Sequence, residues 1–373
     1  MMKTTFFTCV TILLVGVTNT NAQTVRATVP PVQNTSTIFY MPAEDDRHEG
    51  TWLQWPHNYG WDTRHVQRYE ESWVKLTIAL HTGEKVHIIC YNNQEMTRIR
   101  SLLSGRSVNL SQLTFHIWPT NDVWIRDNGP IFTYDKTQTL KVQDWKFNGW
   151  GNRAAYLRDD PIPKFVANYT NLQRIDVAMT NEGGSVEVDG KGTMMAKRSS
   201  ILNSNRNLGL TQAQAEGYFR KYLGVKNFIW LDGSKGGDIT DDHIDGTARF
   251  APANTIVTYY REDFVIPKEY DILKAAKNAN GQVYKVVSLP LTQNIVPGVN
   301  DYGIYINYYV GNDVVVIPTF NDPSDQVAID TLQQVYPTRR MVGINFVELY
   351  KDGGLVHCVT QQQPVATRIR KRY

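Results

Sequence analysis

The chain has 373 residues, 42% hydrophobic and 20% charged, which is enough apolar content to bury a large core and leaves no long polar tract of the kind that marks disorder. Its formal net charge of +3 is small and dispersed, which argues against a nucleic-acid partner; the closing RIRKRY (residues 369–373 with Arg368) reads as a short solvated basic end. The chain opens on MMKTTFFTCVTILLVGVTNTNA, with one lysine, an apolar run from Phe6 to Val17 and small residues ending at Ala22. This predicts a secretory signal peptide over 1–22, cleaved after Ala22, and hence a secreted or periplasmic protein. The run is too short to span a bilayer, and no later segment is long and apolar enough either.

Residues 23–38, with Pro30 and Pro31, read as a loose leader before a single domain over 39–368. Val66, Tyr69, Trp73, Leu76 and Leu80 fall on one helix face, and KVHIIC, ending at Cys90, reads as a buried strand. Thr211 and Gln214 form a candidate capping box for a helix ending near Gly224, followed by the strand NFIWL. DVVVIP is a further strand, Asp322-Pro323 opens a helix, and RMVGI closes that unit. Repeated strand–helix–strand units predict a mixed α/β protein. No glycine-rich phosphate loop occurs, so no nucleotide cofactor is expected. Asn34, Asn109 and Asn168 stand in Asn-x-Ser/Thr triplets that a eukaryotic secretory pathway would glycosylate.

Four polar, glycine-containing stretches remain. WIRDNGP holds Trp124, Arg126 and Asp127; alone it reads as a turn with a solvated ion pair. NEGGSVEVDGKGT holds Glu182 and alone reads as a hairpin with an acidic loop. DITDDHIDG holds Asp241, Asp242, His243 and Asp245; on a strand, His243 and Asp245 would share one face. Further His or Cys ligands at metal spacing are missing from the sequence, so no metal is expected, with an aspartate-built hard-cation site as the rival reading. GGLVHCVTQQQP holds His357 and Cys358, either a small buried residue at a strand end or a nucleophile. Cys90 and Cys358 are the two thiols left after cleavage, and a chain this large does not need them paired. Asp127, Glu182 and His243 are spaced by 55 and 61 residues, and Cys358 follows 115 later. That spacing implies one polar contribution per repeated module, with one module silent.

A thiol, a histidine and several carboxylates are an odd set for acyl transfer, because acids repel a developing oxyanion. They suit a cation, and a planar guanidinium is the one that carboxylates clamp with paired hydrogen bonds. Together with MPAEDDRHEGTWLQWP, DWKFNGWG, ILNSNRN, YINYY and VVVIPTFNDPSD, these stretches resemble the agmatine deiminases and bacterial peptidylarginine deiminases among the guanidino-group-modifying enzymes. The resemblance covers nearly all of the mature chain. It implies a five-bladed α/β propeller with pseudo-fivefold symmetry and a central active site, working without a cofactor. It also implies Cys358 as nucleophile, His243 as general acid and base, and Asp127 and Asp245 gripping the guanidinium, with Glu182 on the substrate or on His243. Trp55, Trp124 and Trp150 are candidate pocket walls for a cation, with core packing as the equal alternative. The peptidylarginine branch carries carboxylate-binding arginines where this chain has Gly149 and Gly151, so a carboxylate-free guanidine such as agmatine leads. An arginine-containing peptide is the alternative substrate, and a non-catalytic binding protein on the same scaffold is a further one. Asp352 and Leu355 depart from the usual glycine and asparagine of the family.

Overall fold

The structure, a computed structural model, describes residues 29–30, 39–106, 108–259 and 267–366. The predicted signal peptide, most of the leader including Asn34, and the tail 369–373 lie outside the described residues. Of the leader, Pro30 is described with its carbonyl accepting from the Tyr218 hydroxyl at 2.6 Å.

Five sheets share one pattern, in which an antiparallel pair is followed by a helix and a third strand parallel to the second. In chain order the first has strands Ile131–Asp135, Leu140–Lys146 and Arg174–Thr180, with helix Ile162–Thr170 as the crossover. The second has Val186–Val188, Thr193–Lys197 and Asn227–Leu231 around helix Gln212–Leu223. The third has Ala248–Ala251, Thr255–Tyr259 and Lys285–Leu289, crossed by helix Pro267–Ala275. The fourth has Tyr309–Val310, Val314–Thr319 and Arg340–Asn345 around helix Ser324–Val335. The fifth is built from both ends of the chain: Gln361–Pro364 pairs antiparallel with His48–Gln54, which is crossed by helix His65–Leu80 to Lys85–Cys90. A further helix, Asn93–Ser104, leads to a fourth strand there, Leu113–Ile117. The hairpin Leu291–Val296 and Asp301–Ile304 stands outside the pattern.

The crossovers explain the strand compositions. A strand with a parallel neighbour and a helix packed on it is covered on both sides, so it reads as an unbroken apolar run rather than an alternation. Thr193–Lys197 is buried at every position, and in KVHIIC only Lys85 is exposed. Helix His65–Leu80 buries Tyr69, Trp73, Leu76 and Leu80 as its spacing predicts, and Val66 is half-buried. The Thr211–Gln214 capping box is formed in both directions, and Gly224 ends that helix in a left-handed conformation at φ 74°. Among the described residues no helix is long and apolar enough to cross a membrane. Asn109 and Asn168 are exposed.

Candidate active site

The polar residues singled out in the sequence occupy equivalent places in four of the five sheets, just ahead of the first strand. Asp127 lies in the one-turn helix Ile125–Asn128 before Ile131–Asp135. Glu182 caps the turn Gly183–Ser185 before Val186–Val188. His243 caps the turn Ile244–Gly246, which contains Asp245, before Ala248–Ala251. Cys358 lies in the turn His357–Val359 before Gln361–Pro364. His243 and Asp245 therefore do not share a strand face; a tight turn delivers both. The fourth sheet is not silent either. Asn307 precedes Tyr309–Val310, and its Nδ2 lies 3.4 Å from Cys358 Sγ. Asn307 splits the long interval into steps of 64 and 51 residues.

The turns converge on Gly184. A methyl group there would sit 2.8 Å from Asp127 Oδ1, 2.9 Å from His243 Nδ1 and 3.0 Å from Asp245 Oδ2. The bare Gly184 N–H instead donates to Asp127 Oδ1 at 3.1 Å. His243 Nδ1 is 3.6 Å from Asp127 Oδ1, and its Nε2 is 3.2 Å from Glu182 Oε2. Glu182 is fixed in turn by Arg206 Nε at 2.8 Å, and Arg206 Nη1 by Asp241 Oδ2 at 2.5 Å. Cys358 Sγ is 3.8 Å from Asp245 Oδ2. Trp150 Nε1 donates to Asp127 Oδ2 at 2.9 Å.

Burial and crowding set the charges. Burial works against protonation of His243, but Asp127, Glu182 and Asp245 overcome it and raise the imidazolium to about 9. Burial, helped by Asp245 and Glu182 and opposed by His243, pushes Asp127 up to about 6. Glu182 is buried too, yet His243 and Arg206 hold its carboxyl below the usual range. Burial raises the Cys358 thiol well above its ordinary value, and Asp245 and Asp127 raise it further. Without a cation in the site, the thiol is held protonated.

The site opens into a cavity of about 1020 Å³ whose lining includes Trp124, Asp127, Trp150, Asp352, Gly353 and Cys358. Trp124 and Trp150 thus both border the cavity. Trp55 does not. It is 1% exposed within the core, its indole donating to Glu70 Oε1 at 2.7 Å. It packs in the cluster of Leu53, Tyr69 and Trp73, so burial rather than the pocket places it. Gly149, Trp150, Gly151 and Asn152 all have positive φ, at 60°, 53°, 86° and 64°. A left-handed Trp is rare and strained, and this one is anchored by the Asp127 bond. A side chain at 149 would begin 2.4 Å from the Ala154 carbonyl, and one at 151 would begin 2.6 Å from the Asn205 amide.

Other expectations are corrected. Arg126 forms no exposed pair with Asp127: it is 3% exposed and reaches Glu44 Oε2 at 3.3 Å and Gln362 Oε1 at 2.8 Å. Glu182 is likewise buried, not a loop-tip acid. Asp241 is held by Arg206 and by Arg153 at 2.9 Å, and Asp242 by Lys197 at 2.5 Å. Asp352 binds Arg68 Nη2 at 2.6 Å, and Leu355 is buried in the core. Cys90 and Cys358 are both free thiols. The residues that went unassigned in the sequence are Gly184, Arg206, Asn307 and His357. Their stretches, NEGGS, ILNSNRN, YINYY and LVHC, were in view, but only Asn307 had a positional signal, the gap in the module spacing.

The model of the Porphyromonas-type peptidyl-arginine deiminase family matches residues 40–364. A protein of Legionella pneumophila (strain Philadelphia 1) named "Putative agmatine deiminase" is 33% identical over 343 residues, covering 89% of this chain and 96% of its own. The solved agmatine deiminase of Enterococcus faecalis superimposes with a TM-score of 0.78 at 25% identity, covering 91% of this chain and 100% of its own. An agmatine deiminase of C. jejuni with substrate bound, at 24% identity and a TM-score of 0.79 over 89% of this chain and 98% of its own, shares the mixed α/β fold. The chain belongs to the Porphyromonas-type peptidyl-arginine deiminase family.

Proposed function

We propose that this hydrolase, which acts on C–N bonds of amidines, converts agmatine and water to N-carbamoylputrescine and ammonia. The observation that carries the reading is the convergence of Asp127, Glu182, His243, Asp245 and Cys358 around Gly184, a nucleophile and a proton carrier set among carboxylates. A guanidinium bound between Asp127 and Asp245 offsets the negative charge that keeps the Cys358 thiol protonated, so the thiol gives its proton to solvent as the substrate binds and the thiolate forms. The thiolate attacks the guanidinium carbon to give a tetrahedral adduct. His243, protonated at neutral pH, gives its proton to the departing nitrogen, and ammonia leaves. The S-linked thiouronium is then attacked by water that neutral His243 deprotonates, and expulsion of Cys358 yields the ureido product.

Agmatine is favoured because positions 149 and 151 have no space for a carboxylate-binding arginine. One observation favours the alternative, citrulline formation on an arginine-containing peptide. The cavity is at the upper end of the usual ligand range of about 300–1,000 Å³, and Trp61 and Leu157 on its wall are 63% and 79% exposed. The same reading takes residues 39–368 as one catalytic domain of five blades about the site, supported by the five recurrent hairpin–helix–strand sheets. It also takes the protein as exported, so that the mature chain starts at Gln23, as N-terminal sequencing of exported protein would read.

The test incubates the protein and its Cys358→Ala variant with agmatine, free arginine and an arginine-containing peptide, following ammonia and product mass. Replacement of one imino nitrogen by oxygen on agmatine alone, absent in the variant, is the expected result. Turnover of the peptide alone moves the protein to the alternative. Silence on all three, with native folding and a reduced Cys358, overturns both.

A further inference from the structure

His357, beside the nucleophile, is used by none of the steps above. Its ring is buried between two carboxylates, with Nδ1 2.8 Å from Asp245 Oδ2 and Nε2 2.8 Å from Glu44 Oε2. Glu44 is itself fixed from behind by Arg249 Nη2 at 2.9 Å, Arg126 Nη2 at 3.3 Å and the Val310 N–H at 3.0 Å. Asp245 Oδ2, the oxygen His357 holds, is also the one facing Cys358 Sγ. Each ring nitrogen thus faces an oxygen of a different carboxylate.

The two acids proposed to grip the substrate are therefore unlike. Burial would raise Asp245, but the His357 hydrogen bond leads the effects that bring it below its ordinary value. Asp127, whose ion-pair partner among the described residues is His243 at 3.6 Å, is raised instead. One clamp is braced by an imidazole shared with a second carboxylate, the other by the Trp150 indole and the Gly184 N–H.

We propose that His357 is a positioning residue which, braced by Glu44, turns the Asp245 carboxylate to face the substrate guanidinium beside Cys358. This rests on the guanidine-hydrolysis reading above. Its effect is separable from the nucleophile's placement, because the backbone of residue 357 is anchored without the ring. The His357 N–H donates to Asn307 Oδ1 at 3.0 Å, and its carbonyl accepts from Arg126 Nε at 3.3 Å.

The test uses two amides of different reach. In His357→Asn the amide nitrogen takes the place of Nδ1 and can still bond Asp245. In His357→Gln it takes the place of Nε2, reaching Glu44 and leaving Asp245 unbraced. Agmatine and an arginine-containing peptide are titrated calorimetrically into Cys358→Ala protein carrying each change. Losing one charge-assisted bond to Asp245 is expected to weaken binding about tenfold in the Gln variant, with the Asn variant within about threefold of its parent. Circular dichroism and Tm of the same variants are expected to match those of the parent. Equal binding in both amide variants and the parent, or loss in the Asn variant rather than the Gln variant, overturns the inference alone. Binding lost together with altered circular dichroism and a lowered Tm also overturns it, since that marks a structural role. Should the Gln variant fail to fold, Glu44→Gln reads the same link from the far side, and unchanged binding there counts against it. A Cys358→Ala parent that binds neither ligand overturns the guanidine reading, and this inference falls with it.

Discussion

Gly184 is the residue around which the candidate chemistry is arranged, because the space its missing side chain leaves is bounded by Asp127, His243 and Asp245. Gly184→Ala puts a methyl group within 3.0 Å of all three and displaces them, by an amount comparable to the misplacements that cost about 10²-fold in rate. A loss of that size in kcat/KM is expected with native circular dichroism; activity within a few-fold of wild type would remove Gly184 from the site. His243 gives a pH signature of definite sign. Its folded value of about 9 exceeds the ordinary 6.5, so the stability it contributes is complete below 6.5 and lost as pH rises through about 9. Asp127, raised from 3.8 to about 6, costs stability as pH rises between those values. Urea midpoints across pH 6.5 to 9 are expected to fall in wild type and to stay flatter in His243→Gln. Turnover should decline over the same alkaline range as the proton for the leaving nitrogen is lost.

Elements that carried a long signal were legible in the sequence, and one-turn elements were not. The strands KVHIIC and NFIWL and helix His65–Leu80 announce themselves because each has a buried face several residues long. Cap chemistry was equally direct at Thr211. Thr211→Ala is expected to cost about 1 kcal/mol by urea unfolding while leaving kcat/KM unchanged, since that helix packs on the cluster of Trp145 and Val177. The turns at 183–185, 244–246 and 357–359 are too short for any periodicity, and His243 and Asp245 accordingly read as strand positions. Arg126 read as solvated because its partner, Glu44, is 82 residues away, and sequence patterning sees only near neighbours. Asn307 left no trace of its own because an uncharged amide is not conspicuous among titratable groups.

At the scale of the molecule, the family resemblance and the spacing of polar residues pointed to repeated modules, and five sheets of one pattern answer to them. The spacing could not reveal that one of the five is assembled from the two ends of the chain. Gln363 Oε1 accepts from the indole of Trp52 at 2.8 Å, and Gln362 holds Arg126. A chain ending at Thr360 keeps every candidate catalytic group yet loses this strand. It is expected to accumulate in the insoluble fraction, and soluble, active protein would show the strand to be dispensable. The strand also sets a timetable. Cys358 and its strand leave the ribosome some three hundred residues after the partners they must find at 48–54. Contacts so distant in sequence form late and slowly. During synthesis the carboxylates and His243 emerge before the thiol they are to work with, so a nascent chain that has not reached Cys358 lacks the finished combination. Until that segment is made, the candidate site has its acids and its histidine but no nucleophile for them to serve.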